Sequence, residues 1–234
     1  MKSYPTLLAY VLLCLSMLIG QPAHTQQRFQ RWGGGVDDEL LHFGFSFHYI
    51  QADYKIELAK DWGNTGYKSI YSPFSNNVGL GLLADLKLTE NLNLRFSPNL
   101  TFLNVEIITE KPTEEKRNRI HRSNIELPLL LKFKSDRKGN LRGYLVGGGQ
   151  SAINVSPSKR YTPKEDIITN GVYLAYTVGI GFDIYFDFFK MAPEIRWTQS
   201  IGNLIDRHPG NTYNKNLPLD RLFLRSFQIS LFFE

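Results

Sequence analysis

The chain has 234 residues, 42% of them hydrophobic and 21% charged, with a net charge of +5 and a mean hydropathy of -0.25. That is the size of a single domain, and too polar overall for a bundle of transmembrane helices. Basic clusters are interleaved with acids, as in Glu114-Glu115-Lys116-Arg117-Asn118-Arg119, so no basic stripe suited to nucleic acid is present.

The first 25 residues read as a secretory signal peptide. Lys2 precedes an apolar run at 7–19 that is short for a membrane span, Gly20 and Pro22 break it, and Ala23 and Thr25 offer small residues for cleavage near Thr25. An uncleaved N-terminal anchor is the alternative. The lone cysteine, Cys14, lies inside this run, so the mature chain has no disulfide available and must be held by a core or by lipid. Loss of Lys2 lowers the net charge from +5 to +4. Residues 26–40 are expected to form an N-terminal periplasmic linker and 41–234 the folded domain.

From residue 41 the signal is period two, the alternation of a pleated strand. Leu41, Phe43, Phe45, Phe47 and Tyr49 alternate with smaller or polar residues. The pattern recurs at 78–88 and at 92–102, where Leu92, Leu94, Phe96, Leu100 and Phe102 share a face, and again at 125–133. Further strands are expected at 141–155, 172–186, 191–198 and 219–233. Gly179 and Gly181 sit in the sixth of these, with no third glycine opening a helix, so Gly-Ile-Gly is no dinucleotide loop. Gly147-Gly148-Gly149 lacks a following Lys-Ser/Thr and is no phosphate loop either. Both read as packing or bending positions.

Connections near 89–91, 135–140 and 187–190 are short, whereas 55–77, 104–122, 156–170 and 200–218 read as long polar loops. Strands of eleven or more residues exceed the five or six usual in soluble sheets and suit a tilted membrane crossing. The expected fold is all-β: an eight-stranded antiparallel up-and-down transmembrane β-barrel with short periplasmic turns and long extracellular loops, in the outer membrane of a Gram-negative cell. A secreted soluble barrel is the alternative. Eight strands leave an interior just filled by side chains. Asp85, Lys87, Arg95, Glu126, Lys132, Arg142, Asp183, Glu194 and Arg196 fall on the lumen face, where they are expected to form a structural polar network. Arg225 breaks the parity of the last strand, and a bulge near Ser226 would return it to the lumen.

His42 and His48 lie six residues apart on one strand, roughly 20 Å, too far to share a metal. No metal and no cofactor are expected. An enzyme would need a histidine beside a serine or carboxylate at the rim; His121 with Ser123 or His208 with Asp206 would be candidates, and no motif supports either. Trp62, Arg117, Arg119, Tyr161 and Tyr213 lie in the expected loops, where a barrel without a pore meets partners.

Several segments resemble one family: LHFGF (41–45), LADLKLTENLNLRFSPNLTF (83–102), IELPLLLKFKSDRKGNLRGYLVGGG (125–149), VGIGFDIYFDFFKMAPEI (178–195) and LRSFQISLFFE (224–234). They are similar to the PorT (SprT) family of outer-membrane barrels, part of the Bacteroidetes type IX (Por) secretion system. The resemblance implies a non-enzymatic role in exporting proteins with C-terminal sorting domains. Its implied partners are outer-membrane lipid, lipopolysaccharide and other secretion components, with no small-molecule substrate. It assigns no catalytic residues. Two other readings stay open: a small barrel binding a ligand or surface partner, and an outer-membrane hydrolase or acyltransferase. One departure is Glu234, following Phe233 where such barrels usually end on an aromatic residue.

Overall fold

The computed structural model describes residues 39–60, 62–155, 169–206 and 218–234. The expected signal peptide, with Cys14, and the expected linker up to residue 38 lie outside them. The strands are β1 (Leu41–Leu58), β2 (Ser69–Tyr71), β3 (Ser75–Lys87), β4 (Leu92–Phe96), β5 (Asn99–Lys111), β6 (Glu114–Lys134), β7 (Leu141–Asn154), β8 (Val172–Tyr185), β9 (Lys190–Ile201) and β10 (Leu219–Phe233). β4 and β5 form one stave, interrupted at Ser97-Pro98. Pro98 has no N–H to donate, yet its carbonyl still accepts from Leu82 N at 2.9 Å. β2 is a short strand that pairs only with β5, and β1 pairs with both β3 and β10, so the remaining eight staves close into an antiparallel ring.

The register fixes the geometry of that ring. Followed from strand to strand, Asp53 leads through Arg225, Gln199, Tyr176, Gly149, Leu129, Phe96 and Ala84 to Phe43, back on β1 and displaced from 53 to 43. A ten-residue offset over eight strands demands a tilt of roughly 40°, within the usual barrel range. Each residue then climbs roughly 2.5 Å along the axis. From Leu41 to Tyr49 the outward apolar row spans roughly 20 Å, close to the height of an outer-membrane belt.

Above Tyr49 the pattern inverts. On β1 the inward residues become Ile50, Ala52 and Tyr54, and the outward ones Gln51, Asp53 and Lys55. On β5 the apolar parity passes from Leu100 and Phe102, facing out, to Leu103, Val105 and Ile107, facing in. On β10 it passes from Phe227 outward to Leu224 and Leu222 inward. A strand in lipid puts its apolar face outside, and a strand in water puts it inside; the switch marks the outer membrane boundary. The inward group packs with Tyr173, Ala175, Leu204 and Ile205 into one apolar cluster under the extracellular mouth. Each Val, Leu or Ile of this cluster removed from water contributes about 1.5–3 kcal/mol.

This inversion corrects one expectation and decides one open point. Residues 104–122 are not a polar loop: β5 and β6 stay in register from Asn104↔His121 to Lys111↔Glu114, joined by Pro112-Thr113 alone. Outward positions such as Glu106, Arg117 and Arg119 are charged because they face water, while inward ones such as Leu103, Val105 and Ile107 are apolar. Arg225 needs no bulge. The β1–β10 and β9–β10 registers run unbroken through Ser226, and Arg225 stays on the outer face, opposite Asp53. Its Nε donates to Asp53 Oδ1 at 3.1 Å and its Nη2 to Asp53 Oδ2.

Candidate functional site

The lower half of the lumen is built around Arg95, which lies directly across from Asp85 in the β3–β4 register. Its Nε and Nη2 donate to Asp85 Oδ2 at 3.2 and 2.9 Å, and its Nη1 donates to Glu194 Oε2 at 3.0 Å. The guanidinium also lies 3.7 Å from Glu234 and faces the rings of Phe232 and Tyr144 at 4.9 and 5.4 Å. Lys132 Nζ donates to Asp183 Oδ1 at 2.7 Å, and Arg196 pairs with Glu194. Lys190 meets Glu234 at 2.6 Å. Arg95, Asp85, Lys132 and Glu194 are all shut off from solvent, a placement that ionised groups tolerate only when each has opposite charge or hydrogen bonds at hand.

The two glycines of β8 make room for this network. Gly179 and Gly181 lie across from Arg196 and Glu194. A Cβ on Gly179 would sit 2.7 Å from the Ile195 carbonyl and 3.0 Å from Arg196 Cγ, and one on Gly181 would run into the Tyr144 ring. Gly148 likewise faces the Leu129 carbonyl, while Gly147 and Gly149 have open space outside.

Of the nine lumen positions expected from the sequence, Asp85, Arg95, Lys132, Asp183, Glu194 and Arg196 come together here. Lys87 and Arg142 do not join them. Lys87 sits at the periplasmic rim, 3.7 Å from Glu90. Arg142 ties two turns together, donating to the carbonyls of Ser135 and Glu90 at 2.6 and 2.8 Å. Both lie at the low end of their strands, where the turns bring backbone acceptors within reach. Glu126 also stands apart, one layer higher. Sequence reasoning missed Lys190 and Glu234. Lys190 falls in the expected short connection at 187–190, but β9 begins with it, and inward parity runs Lys190, Ala192, Glu194, Arg196. Glu234 continues the inward row of Phe232, where it meets Lys190, and Phe233 holds the lipid-facing position.

The middle layer is polar and mostly uncharged. His48 bonds Ser230 Oγ through Nδ1 at 2.8 Å, and Ser46 Oγ and Asn99 Oδ1 through Nε2 at 2.9 and 3.0 Å. Thr177 and Thr198 share a 2.9 Å bond. The apolar cluster closes the top, where Arg122 lies over the Tyr173 ring and donates to Thr169 Oγ1 at 3.0 Å and to the Asn170 carbonyl at 2.7 Å. The lumen is therefore filled twice, by ion pairs below and by hydrocarbon above.

Outside, the β5–β6 hairpin rises past the lipid belt, and β2 adds to its β5 side. Arg117 and Arg119 lie exposed on its outer face, with Nε donating to Glu115 at 2.7 Å and to Glu106 at 2.6 Å. Trp62 is half-buried in a short 3-10 turn, Trp62–Asn64. His121 is exposed on the hairpin, two residues from Ser123. Tyr161, Tyr213 and His208 lie outside the described residues. Among the described residues no group of three His, Cys, Asp or Glu is placed to hold a metal ion.

A family model described as "Outer membrane protein beta-barrel domain" matches residues 27–206. Among solved structures, OprG of Pseudomonas aeruginosa is similar at 12% identity, covering 82% of this chain and 92% of its own, with a TM-score of 0.46. Neisserial surface protein A (NspA) is similar at 12% identity, covering 83% of this chain and 98% of its own, with a TM-score of 0.44. The N-terminal β-barrel domain of Pseudomonas aeruginosa OprF follows at 10% identity, covering 80% and 96%, with a TM-score of 0.30. No curated protein matches the chain.

Proposed function

The chain belongs to the outer-membrane β-barrel domain family, and on that premise we propose that it works without catalysis, as an accessory of the type IX (Por) secretion system acting through protein contacts. The barrel sits in an outer membrane with its apolar belt in lipid. The observation that carries the reading is the doubly filled lumen, with buried ion pairs at the base and an apolar cluster beneath the mouth. A barrel sealed in this way has no aqueous route for solutes, so its working surfaces are its outside and its loops. The secretion assignment rests on the PorT-like segments at 83–102, 125–149 and 178–195. The hairpin that carries Arg117 and Arg119 is the proposed contact with other secretion components, and lipopolysaccharide the proposed lipid neighbour.

Deleting the gene tests the assignment. Proteins bearing C-terminal sorting domains should accumulate in the periplasm of the mutant and return to the surface on complementation. If they still reach the surface without this barrel, the secretion reading is wrong.

A further inference from the structure

Above the lipid belt β6 outruns one of its neighbours. β5 accompanies it to the hairpin tip, but the β6–β7 register ends at Asn124↔Asn154. Among the described residues, 117–122 therefore have a strand on one side only, whereas β2 covers the β5 side of the hairpin at Ile108, Thr109 and Glu110. At the foot of the uncovered side, Val155 N donates to Ser123 O at 2.7 Å. Every second residue of a strand turns its N–H and C=O to the same side. Those of Arg117, Arg119 and His121 thus follow Ser123 and point to the open edge, while the residues between them bond to β5.

The edge also carries charge of one sign. Residues 116–122 read KRNRIHR, with no acid among them. The side chains of Arg117, Arg119 and His121 are exposed on the outer face, beside the backbone groups that face the edge. Arg117 and Arg119 each donate through Nε to a neighbouring glutamate. A guanidinium has five N–H donors, so both keep capacity for a second carboxylate. Two copies of this edge laid against each other would set arginine against arginine or histidine, a destabilising match. An acidic strand would meet opposite charge instead. Charge on an edge strand blocks promiscuous pairing, and charge of a single sign turns that block into a choice of partner.

We propose that residues 117–121 form a docking edge for an extended acidic segment of another protein, which adds a strand to the hairpin. The backbones of Arg117, Arg119 and His121 hold the segment, and Asp or Glu at its alternate positions meets the two arginines. The period of two follows from the pleat, because residues paired through both backbone bonds carry their side chains on the same face. The proposal rests on the hairpin contact put forward above and supplies its chemistry; it does not require the partner to be a secretion component.

The test is fluorescence anisotropy of a labelled peptide, Thr-Glu-Val-Glu-Val-Glu-Thr, titrated with the full-length barrel folded in non-ionic detergent. Binding should saturate. The same peptide with Gln for Glu should bind about tenfold more weakly, the scale of two or three cross-strand charge pairs. N-methylation of its glutamates keeps every charge but removes the N–H groups that face the edge, and should abolish binding. His121→Pro removes one edge N–H and leaves both arginines and the β5 ladder in place, since proline is tolerated where its nitrogen faces away from the sheet. It should weaken binding by up to about tenfold, the scale of one backbone hydrogen bond. Absence of saturable binding would overturn the proposal. Equal affinity for the N-methylated peptide would do the same, leaving charge adhesion alone, and so would unchanged binding by a folded His121→Pro. Should that variant fail to fold, the two peptide controls decide. None of these readings depends on export, so the secretion assignment stands or falls separately, on the gene deletion.

Discussion

Replacing Arg95 with methionine keeps much of the side-chain volume and removes the central cation of the lumen base. Asp85 loses both of its hydrogen bonds to the guanidinium and is left with the more distant Lys132 at 3.9 Å, while Glu194 retains Arg196. Breaking a buried ion pair from one side costs about 3–5 kcal/mol, because the remaining charge is stranded away from water. Lys55→Ala is the control, since its pair with Glu57 at 3.6 Å has both side chains substantially exposed, and it should cost under about 1 kcal/mol. Urea unfolding of the lipid-folded barrel, followed by tryptophan emission and by gel migration, reads both. The double variant Arg95→Met/Asp85→Asn should recover part of the loss. If Arg95→Met unfolds within about 1 kcal/mol of the wild type, the base network is not what holds the lower lumen, and the reasoning fails.

Gly179→Val should abolish folding or cost several kcal/mol on the overpacking scale, whereas Gly149→Ala, whose added carbon meets nothing closer than 3.9 Å, should leave the unfolding midpoint unchanged. Leu222→Ala beneath the mouth should cost about 2–4 kcal/mol by the same urea assay. In planar bilayers the wild type should show no steady ion conductance; a stable open channel would contradict the sealed lumen. A cysteine at Arg119 should react with a membrane-impermeant maleimide on intact cells, and one at Glu90 only after the outer membrane is permeabilised; the reverse pattern would invert the orientation.

Most of the barrel was legible because lipid outside and a packed lumen inside impose strict alternation on every stave. Legibility ended where the solvent changes. At 104–122 and around Arg225 the local alternation persists with its sign reversed, so a reader tuned to apolar-outside sees a loop and a misplaced arginine. The point of reversal was itself in the sequence, at Tyr49/Ile50, Phe102/Leu103 and Leu224/Arg225. Within the lumen, parity identified the charged residues but not their partners. Nothing local separates Glu126 from Glu194: both stand beside apolar residues on an inward row, and only the closed ring puts arginines next to one and a cavity next to the other. Lys190 was hidden by its position at the start of a strand, where a turn and an inward position look alike.

The reversed hairpin also constrains how the barrel is assembled. Its tip carries Glu114, Glu115, Arg117 and Arg119, all of which must cross the hydrocarbon before the fold is complete. Carried singly, each strand would bring its unpaired peptide groups as well as its charges through lipid. Carried as a zipped pair, the two strands satisfy one another's backbone along thirteen consecutive register positions from Asn99↔Glu126 to Lys111↔Glu114. The side-chain pairs Glu106–Arg119 and Glu115–Arg117 cancel charge within the travelling unit. Crossing as a zipped pair therefore costs this hairpin less than crossing strand by strand, because its backbone bonds and its ion pairs are made within the unit itself.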